Sequence, residues 1–150
     1  VRETLAELSE TAERVRVTIV SDLPADLPRV PADGSLLKSS VWNLAQNAIQ
    51  VMEREGGTLS VSARLSPATP DEGPRLVLTF EDEGPGIDPS HLPRLFEPWF
   101  SAKEGGVGLG LAMVKRIVEE HGGRVEAANR DGARGAVFHV RLPLVSSPSE

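Results

Sequence analysis

The sequence has no cysteine among its 150 residues. That excludes a disulfide framework and any zinc held by thiolates. Its three histidines stand at 91, 121 and 139, without the spacing of metal ligands. Basic residues are outnumbered, 16 against 22 acidic, and the net charge is −6. A non-specific nucleic-acid partner is thereby excluded, because neutralising phosphates needs a basic surface. No apolar run reaches the roughly 18 residues that a membrane span requires. A basic segment followed by an apolar one, the mark of a secretory leader, is also missing. No internal repeat and no second domain are visible, and the length suits one domain with a full core. The chain opens without Met inside a helical pattern, so it reads as a piece of a longer protein.

What is present is a series of short periodic segments. Leu5, Leu8 and Ala12 are spaced three and four apart, which predicts an amphipathic helix over 1–14. Val15, Val17 and Ile19 alternate with polar residues, a strand over 15–20. A proline-rich connector spans 21–34, and a helix follows over 35–55, stopped by Gly56 and Gly57. Its core face is read as Leu37, Val41, Leu44, Ala48, Val51 and Met52. Strands are expected over 58–65 and 76–80. From 83 to 107 no periodicity persists, and a connection this long is usually a functional lid or disordered. A helix over 108–121 and a hairpin of 124–128 with 136–142 complete the chain, and 144–150 reads as a flexible tail. The order α-β-α-β-β-lid-α-β-β predicts an α+β fold, a two-layer α/β sandwich. A small doubly wound sheet is the alternative, and the final hairpin argues against it.

Three stretches carry chemistry. Asn43 and Asn47 lie four apart on one helical face, with Gln46 and Gln50 beside them. Asparagine is a mediocre helix former, so two on one turn suggest that their carbonyl oxygens are used. Neutral oxygens suit Mg²⁺ shared with nucleotide phosphates. An exposed polar stripe is the plainer reading. In "VLTFEDEGPGI" a strand ends at Asp82 and Gly84 and Gly86 follow. A carboxylate there can accept a bond from an exocyclic amine, and the glycines let a flat ligand lie on bare backbone. An ordinary Asp-Gly turn would look the same. Finally, Gly105, Gly106, Gly108 and Gly110 lead into a helix carrying Leu111, Val114, Ile117 and Val118. A helix start offers free amides and partial positive charge to a phosphate. No Gly-Lys-Ser/Thr follows and no strand leads in directly, so it is neither a P-loop nor a dinucleotide fingerprint. Gly122 and Gly123 read as the stop of that helix.

Taken in this order, the three stretches resemble the ATP-binding catalytic domain of bacterial sensor histidine kinases, whose Bergerat fold is shared with gyrase, MutL and a heat-shock chaperone. "NLAQNA" is similar to that family's N box, "DEGPGI" to its first glycine box and "GVGLGLAMVKRIVEEHGG" to its second. "LFEPWFSAKEGG" is similar to the F box of nitrogen-regulation-type kinases. The resemblance implies a mixed, mostly antiparallel sheet of about five strands under three helices, with residues 88–107 as an ATP lid. It implies ATP or ADP with Mg²⁺ as ligands. Asn47 would be the Mg²⁺ ligand and Asn43 its companion and a second candidate for the metal. Asp82 would bond the adenine amino group, and Gly84, Gly86 and Ile87 would wall the base. Gln50 would join the nucleotide site. Gly106, Val107, Gly108, Leu109, Gly110 and Leu111 would form the helix start around the phosphates, with Lys103 either steadying phosphate charge or simply solvated. Hydrolytic relatives carry Glu at position 43, and Asn there implies a domain that holds ATP for a histidine nucleophile.

The acceptor histidine would lie on a helical dimerisation and phosphoacceptor domain that this chain lacks, and none of its three histidines matches it. Residues 1–14 would continue from that hairpin, and 15–143 would be the catalytic domain. The resemblance further implies a cytoplasmic domain, monomeric alone, from a homodimeric parent that is free or membrane-anchored, with a response regulator as indirect partner. Departures are Val107 for Ser or Thr, Ala136 for Thr, and Trp99-Phe100-Ser101-Ala102-Lys103 for an aromatic-Thr-Thr-Lys run. Each costs one polar contact, about 0.5–1.5 kcal/mol. Trp99 and Phe100 are expected to plug the lid's root into the core, with docking onto the helical domain as the alternative use. A degenerate docking module and an anti-sigma-type serine kinase remain as rival functions.

Overall fold

The computed structural model describes residues 1–27, 30, 33–100 and 109–144. Three helices, α1 (Arg2–Arg14), α2 (Gly34–Val51) and α3 (Gly110–Glu120), pack with five strands. The strands are β1 (Val17–Asp22), β2 (Gly57–Ser66), β3 (Arg75–Glu81), β4 (Arg124–Asn129) and β5 (Ala136–Pro143). They form one sheet in the order β1-β2-β3-β5-β4. β1 runs parallel to β2, and every other pairing is antiparallel. This is the α+β sandwich that the element order predicts, and the antiparallel pairs rule out the doubly wound alternative.

Alternation decides which face is covered. Leu59, Val61 and Ala63 of β2, Leu76, Leu78 and Phe80 of β3, and Phe138, Val140 and Leu142 of β5 point to one side. They share a single core with Leu5, Leu8 and Ala12 of α1, Val41, Leu44 and Ala48 of α2, and Val114 and Val118 of α3. α1 is therefore packed into the body of the domain. Within α2, Ala45 and Ile49 are buried too, while Leu37 and Val51 of the expected core face are only half-buried.

Several boundaries differ from the sequence expectation. α2 opens one residue early because Asp33 caps it, accepting from the Leu36 N–H at 3.0 Å. Its last helical residue is Val51, four before the expected end, and 52–55 form a turn capped at Met52. The described part of α3 begins at Gly110. Its end is a Schellman motif: Gly122 N–H donates to Glu119 O at 3.0 Å and Gly123 N–H to Val118 O at 2.9 Å, with Gly122 at φ +77°. The expected stop at Gly122 is thus a real left-handed cap.

α3 runs opposite to α2 along its first half, and both ends of α3 touch it. At one end Gly110 meets Asn43: a Cβ at 110 would stand 3.1 Å from Asn43 Oδ1. At the other, His121 Nε2 accepts from the Asp33 N–H at 3.0 Å, and its Nδ1 donates to Ile117 O at 2.7 Å. A neutral imidazole with its proton on Nδ1 satisfies both bonds.

Candidate nucleotide site

Asp82 lies just past the end of β3 and is 3% exposed. Its N–H donates to Ala136 O at 3.0 Å, which extends the β3–β5 ladder by one step. Its Oδ1 accepts from the Gly84 N–H at 2.9 Å and from the Ala136 N–H at 3.2 Å. No described group donates to Oδ2. Burial pushes the Asp82 carboxyl above its ordinary range, while the amides of Gly84 and Ala136 and the charge of Arg130 pull it back. Among the described residues, one oxygen of this buried carboxylate is fixed and the other keeps its capacity to accept a hydrogen bond.

Gly84 fits tightly against the end of α2. A Cβ there would lie 3.0 Å from Val51 Cγ2 and 3.3 Å from Val51 O. Gly86 adopts φ +82°, and Ile87 follows it, half-buried and packed on the core. These are the residues expected to wall a base, and the structure places them beside Asp82.

The two asparagines are half-buried on α2, which is not the fully exposed stripe of the plainer reading. Asn43 Nδ2 donates to Ser39 O at 2.9 Å. That bond fixes the amide so that Oδ1 faces the start of α3. Asn47 follows one turn later on the same face, and Gln50, near the end of α2, is exposed. Leu109 is exposed, and Leu111 is half-buried against the core. Lys103, Gly106, Val107 and Gly108 lie outside the described residues.

The root of the expected lid differs from the sequence reading. Trp99 does not enter the core: it is 73% exposed, with its backbone at φ +68°. Phe100 turns back on its own segment, edge-on to His91 at 5.3 Å and under the Arg94 guanidinium at 4.6 Å. Leu95 and Phe96 are the plug instead, packing on the core, with Phe96 edge-on to Phe138 at 6.2 Å. A 3₁₀ turn over Leu92–Arg94 rolls these two inward. Sequence reasoning counted aromatics and could not see that rotation.

It also missed the contribution of the β4–β5 hairpin. Asn129 Oδ1 accepts from the Ile87 N–H at 2.7 Å, and its Nδ2 donates to Ile87 O at 2.7 Å. Gly135 passes so close that a Cβ would stand 1.9 Å from Asp82 O. Arg130 Nη1 donates to Arg134 O at 3.0 Å, and Arg134 in turn pairs with Glu55 at 2.6 Å. The only signal in the sequence was "NRDGARG", which reads as an ordinary turn.

Among the described residues there is no group of three or more His, Asp or Glu side chains able to hold a metal. No helix among them is long and apolar enough to cross a membrane.

Residues 32–146 match the family described as histidine kinase-, DNA gyrase B- and HSP90-like ATPases. Two curated relatives are the sensor histidine kinase ZraS and the sensory histidine kinase/phosphatase NtrB, both of Salmonella typhimurium. ZraS is 36% identical over 139 residues, which are 93% of this chain and 28% of that protein. NtrB is 33% identical over 132 residues, 85% of this chain and 37% of that protein. The chain thus spans about a third of the length of these relatives. Among solved structures, the catalytic domain of histidine kinase ThkA superposes with a TM-score of 0.81 at 27% identity, covering 95% of this chain and 89% of that one. Full-length ShkA bound to AMPPNP gives 0.80 at 28% identity, covering 99% of this chain and 30% of that one. The motifs, the sheet and these matches agree, and the chain belongs to the family of histidine kinase-, DNA gyrase B- and HSP90-like ATPases.

Proposed function

We propose that this chain is the ATP-binding catalytic domain of a two-component sensor histidine kinase. It holds Mg-ATP and presents the γ-phosphate to a histidine on a separate helical domain. The observation that carries the reading is Asp82, whose buried carboxylate keeps one oxygen on the Gly84 and Ala136 amides and leaves the other for an exocyclic amine. An adenine amino group fits that acceptor, with Gly84, Gly86 and Ile87 against the ring. ShkA, a relative of like fold, carries an ATP analogue, which supports the choice of nucleotide.

The phosphates would lie at the start of α3, from Gly106 through Leu111, where amides and the helix dipole favour an anion. Asn47 would hold Mg²⁺ by its carbonyl oxygen, with Asn43 beside it and Gln50 at the rim. Neutral oxygens fit this ion, which takes one or two protein ligands and completes its shell with phosphates and water. Bound there, Mg²⁺ would neutralise charge on the β- and γ-phosphates. The protein's own part is to position the chain of phosphates and exclude a competing water. Asn43 cannot take a proton from water, which favours transfer over hydrolysis. Lys103 would steady charge from the lid.

The helical partner domain would dock where the lid's root meets α3. Leu109 and Met113 are exposed there and line a groove of about 720 Å³ with Pro93 and Phe96, and the exposed Trp99 follows Pro98 of the same lining. α1 would enter from that partner, and the response regulator would receive the phosphoryl group afterwards.

Titration calorimetry with ADP and a non-hydrolysable ATP analogue, with and without Mg²⁺, tests the reading. Binding that requires adenine and tightens with Mg²⁺ is expected. Added helical domain should then acquire phosphohistidine, which the chain alone should not. Asn47→Ala should weaken the Mg²⁺-dependent part of binding by about tenfold and leave the thermal midpoint in place. Equal affinity in the variant would remove Asn47 from the metal site. No binding at millimolar nucleotide would reject the kinase reading in favour of a docking module.

A further inference from the structure

We propose that Asn129, at the end of β4, is a positioning residue for the base pocket. It clamps the backbone of Ile87 and so sets how far the glycine loop stands from Asp82. The proposal rests on the nucleotide reading above and adds a residue 42 positions beyond the loop it holds.

The geometry is that of one strand pairing made by a side chain. Asn129 Oδ1 takes the Ile87 N–H and Nδ2 gives to Ile87 O, both at 2.7 Å. A side-chain amide accepts and donates side by side in this way without needing a proton that is lost at neutral pH. Oδ1 also stands 3.0 Å from where a Cβ on Gly86 would be, so a larger residue at 86 would collide with the clamp. Gly86 itself sits at φ +82° and gives the loop no stiffness of its own. Without the clamp, nothing else in the described structure bonds the Ile87 backbone.

Asp82 is held separately, by Gly84 and by Ala136 on β5. The hairpin therefore grips the pocket twice: β4 holds its wall through Asn129, and β5 holds its acceptor through Ala136. Register fixes the two grips to each other, because Asn129 pairs with Ala136 across the hairpin. Wall and acceptor are thus referred to one rigid base pair of residues, and the gap between them is the width available to a base. Ile87 also precedes the lid, so the clamp marks the point where the fixed wall ends.

Removing the clamp should loosen the wall and leave Asp82 in place. Asn129→Ala should weaken adenosine and ADP by the same factor, about tenfold, with the preference for adenine over guanine nucleotides retained. Asn129→Asp gives a sharper readout. As a carboxylate it can accept from the Ile87 N–H but sets a second anionic oxygen against Ile87 O. As a neutral acid it can accept and donate like the amide. Its adenosine affinity should therefore be poor at about pH 7.5 and recover toward about pH 4, close to the ordinary aspartate value of about 3.9, relative to the parent chain at each pH. A residue that only fills space would show no such recovery.

The experiment is adenosine and ADP titration of the parent chain and both variants at the two pH values. It is paired with amide hydrogen exchange at Ile87 in the ligand-free chains. Expected are equal losses for the two ligands in Asn129→Ala, acid recovery in Asn129→Asp, and exchange of the Ile87 amide at least about tenfold faster in Asn129→Ala. Parent-like adenosine binding by Asn129→Ala, a loss confined to ADP, or a pH-independent Asn129→Asp would each overturn the proposal. A parent chain that binds no adenosine or ADP would overturn the nucleotide reading instead. Ile87 exchange would then still decide whether the clamp exists.

Discussion

At the scale of single residues, the role proposed for Asp82 sets stability against recognition. Its carboxyl is raised above the ordinary range chiefly by burial, so the charged form is disfavoured in the folded chain. The sign follows from linkage. A carboxyl raised on folding binds its proton more readily folded than unfolded, so it costs stability at neutral pH, and the cost fades as pH falls through the raised value. Asp82→Asn removes the charge and can keep Oδ1 on the Gly84 and Ala136 amides. The variant should melt a few degrees higher at pH 7 and lose its preference for adenine over guanine nucleotides. Scanning calorimetry together with ATP and GTP titrations checks both halves. A variant that melts lower, or still prefers adenine, would contradict the assignment. Trp99 shows a related tension, since an L-residue in the left-handed region costs roughly 1–2 kcal/mol, here spent on an exposed ring.

At the scale of elements, two glycines in similar roles should respond very differently. Gly122→Ala puts a Cβ 3.4 Å from Pro143 Cγ at φ +77°, a backbone cost of about 1 kcal/mol. Gly135→Ala puts a Cβ 1.9 Å from Asp82 O at φ +120°, and backbone cannot yield as a side chain can. Its cost should be about 3 kcal/mol or more, with nucleotide binding lost first. Urea titration of the two variants would show the contrast, and equal midpoints would refute it. Such differences mark what the sequence displayed. Helices and strands were legible because α1, β2, β5 and α3 repeat with their own local period. Gly84, Gly86, Asn43 and Asn47 were legible because a motif is a local pattern. Ends were less so, since the cap at Asp33 and the turn at Met52 depend on single contacts. Asn129 and Gly135 were illegible because their importance arises from the β4–β5 register and from loops about 40 to 50 residues away. Trp99 and Phe96 exchanged roles for a like reason: a 3₁₀ turn has a different period from the one that hydrophobic spacing assumes.

At the scale of the molecule, the sandwich has helices on one face of the sheet and its own side chains on the other. On that open face Arg64, Val77, Arg141 and Arg124 form a row across four strands, with Ser62, Thr79, His139 and Glu126 beside it. Val77 is fully buried there, between Arg64 and Arg141. His139 is held below its ordinary value, first by burial and then by Arg141, with Arg64 adding to this and Glu126 and Glu81 opposing. The unfolded chain therefore takes up this proton first. The stabilisation is complete above the ordinary histidine value of about 6.5 and is lost as pH falls below it. His139→Gln should flatten that limb: urea midpoints of parent and variant should converge between about pH 7.5 and about pH 5.5. A constant gap would show that His139 does not titrate in folding. One further property follows from the left-handed backbone at Trp99. The chain has only two indoles, and the other, Trp42, is half-buried on α2. Light absorbed by this protein is therefore emitted from one wet ring at Trp99 and one sheltered ring packed against the core. Their spectra and quenching should separate, which gives the domain a built-in optical gauge of whatever covers Trp99.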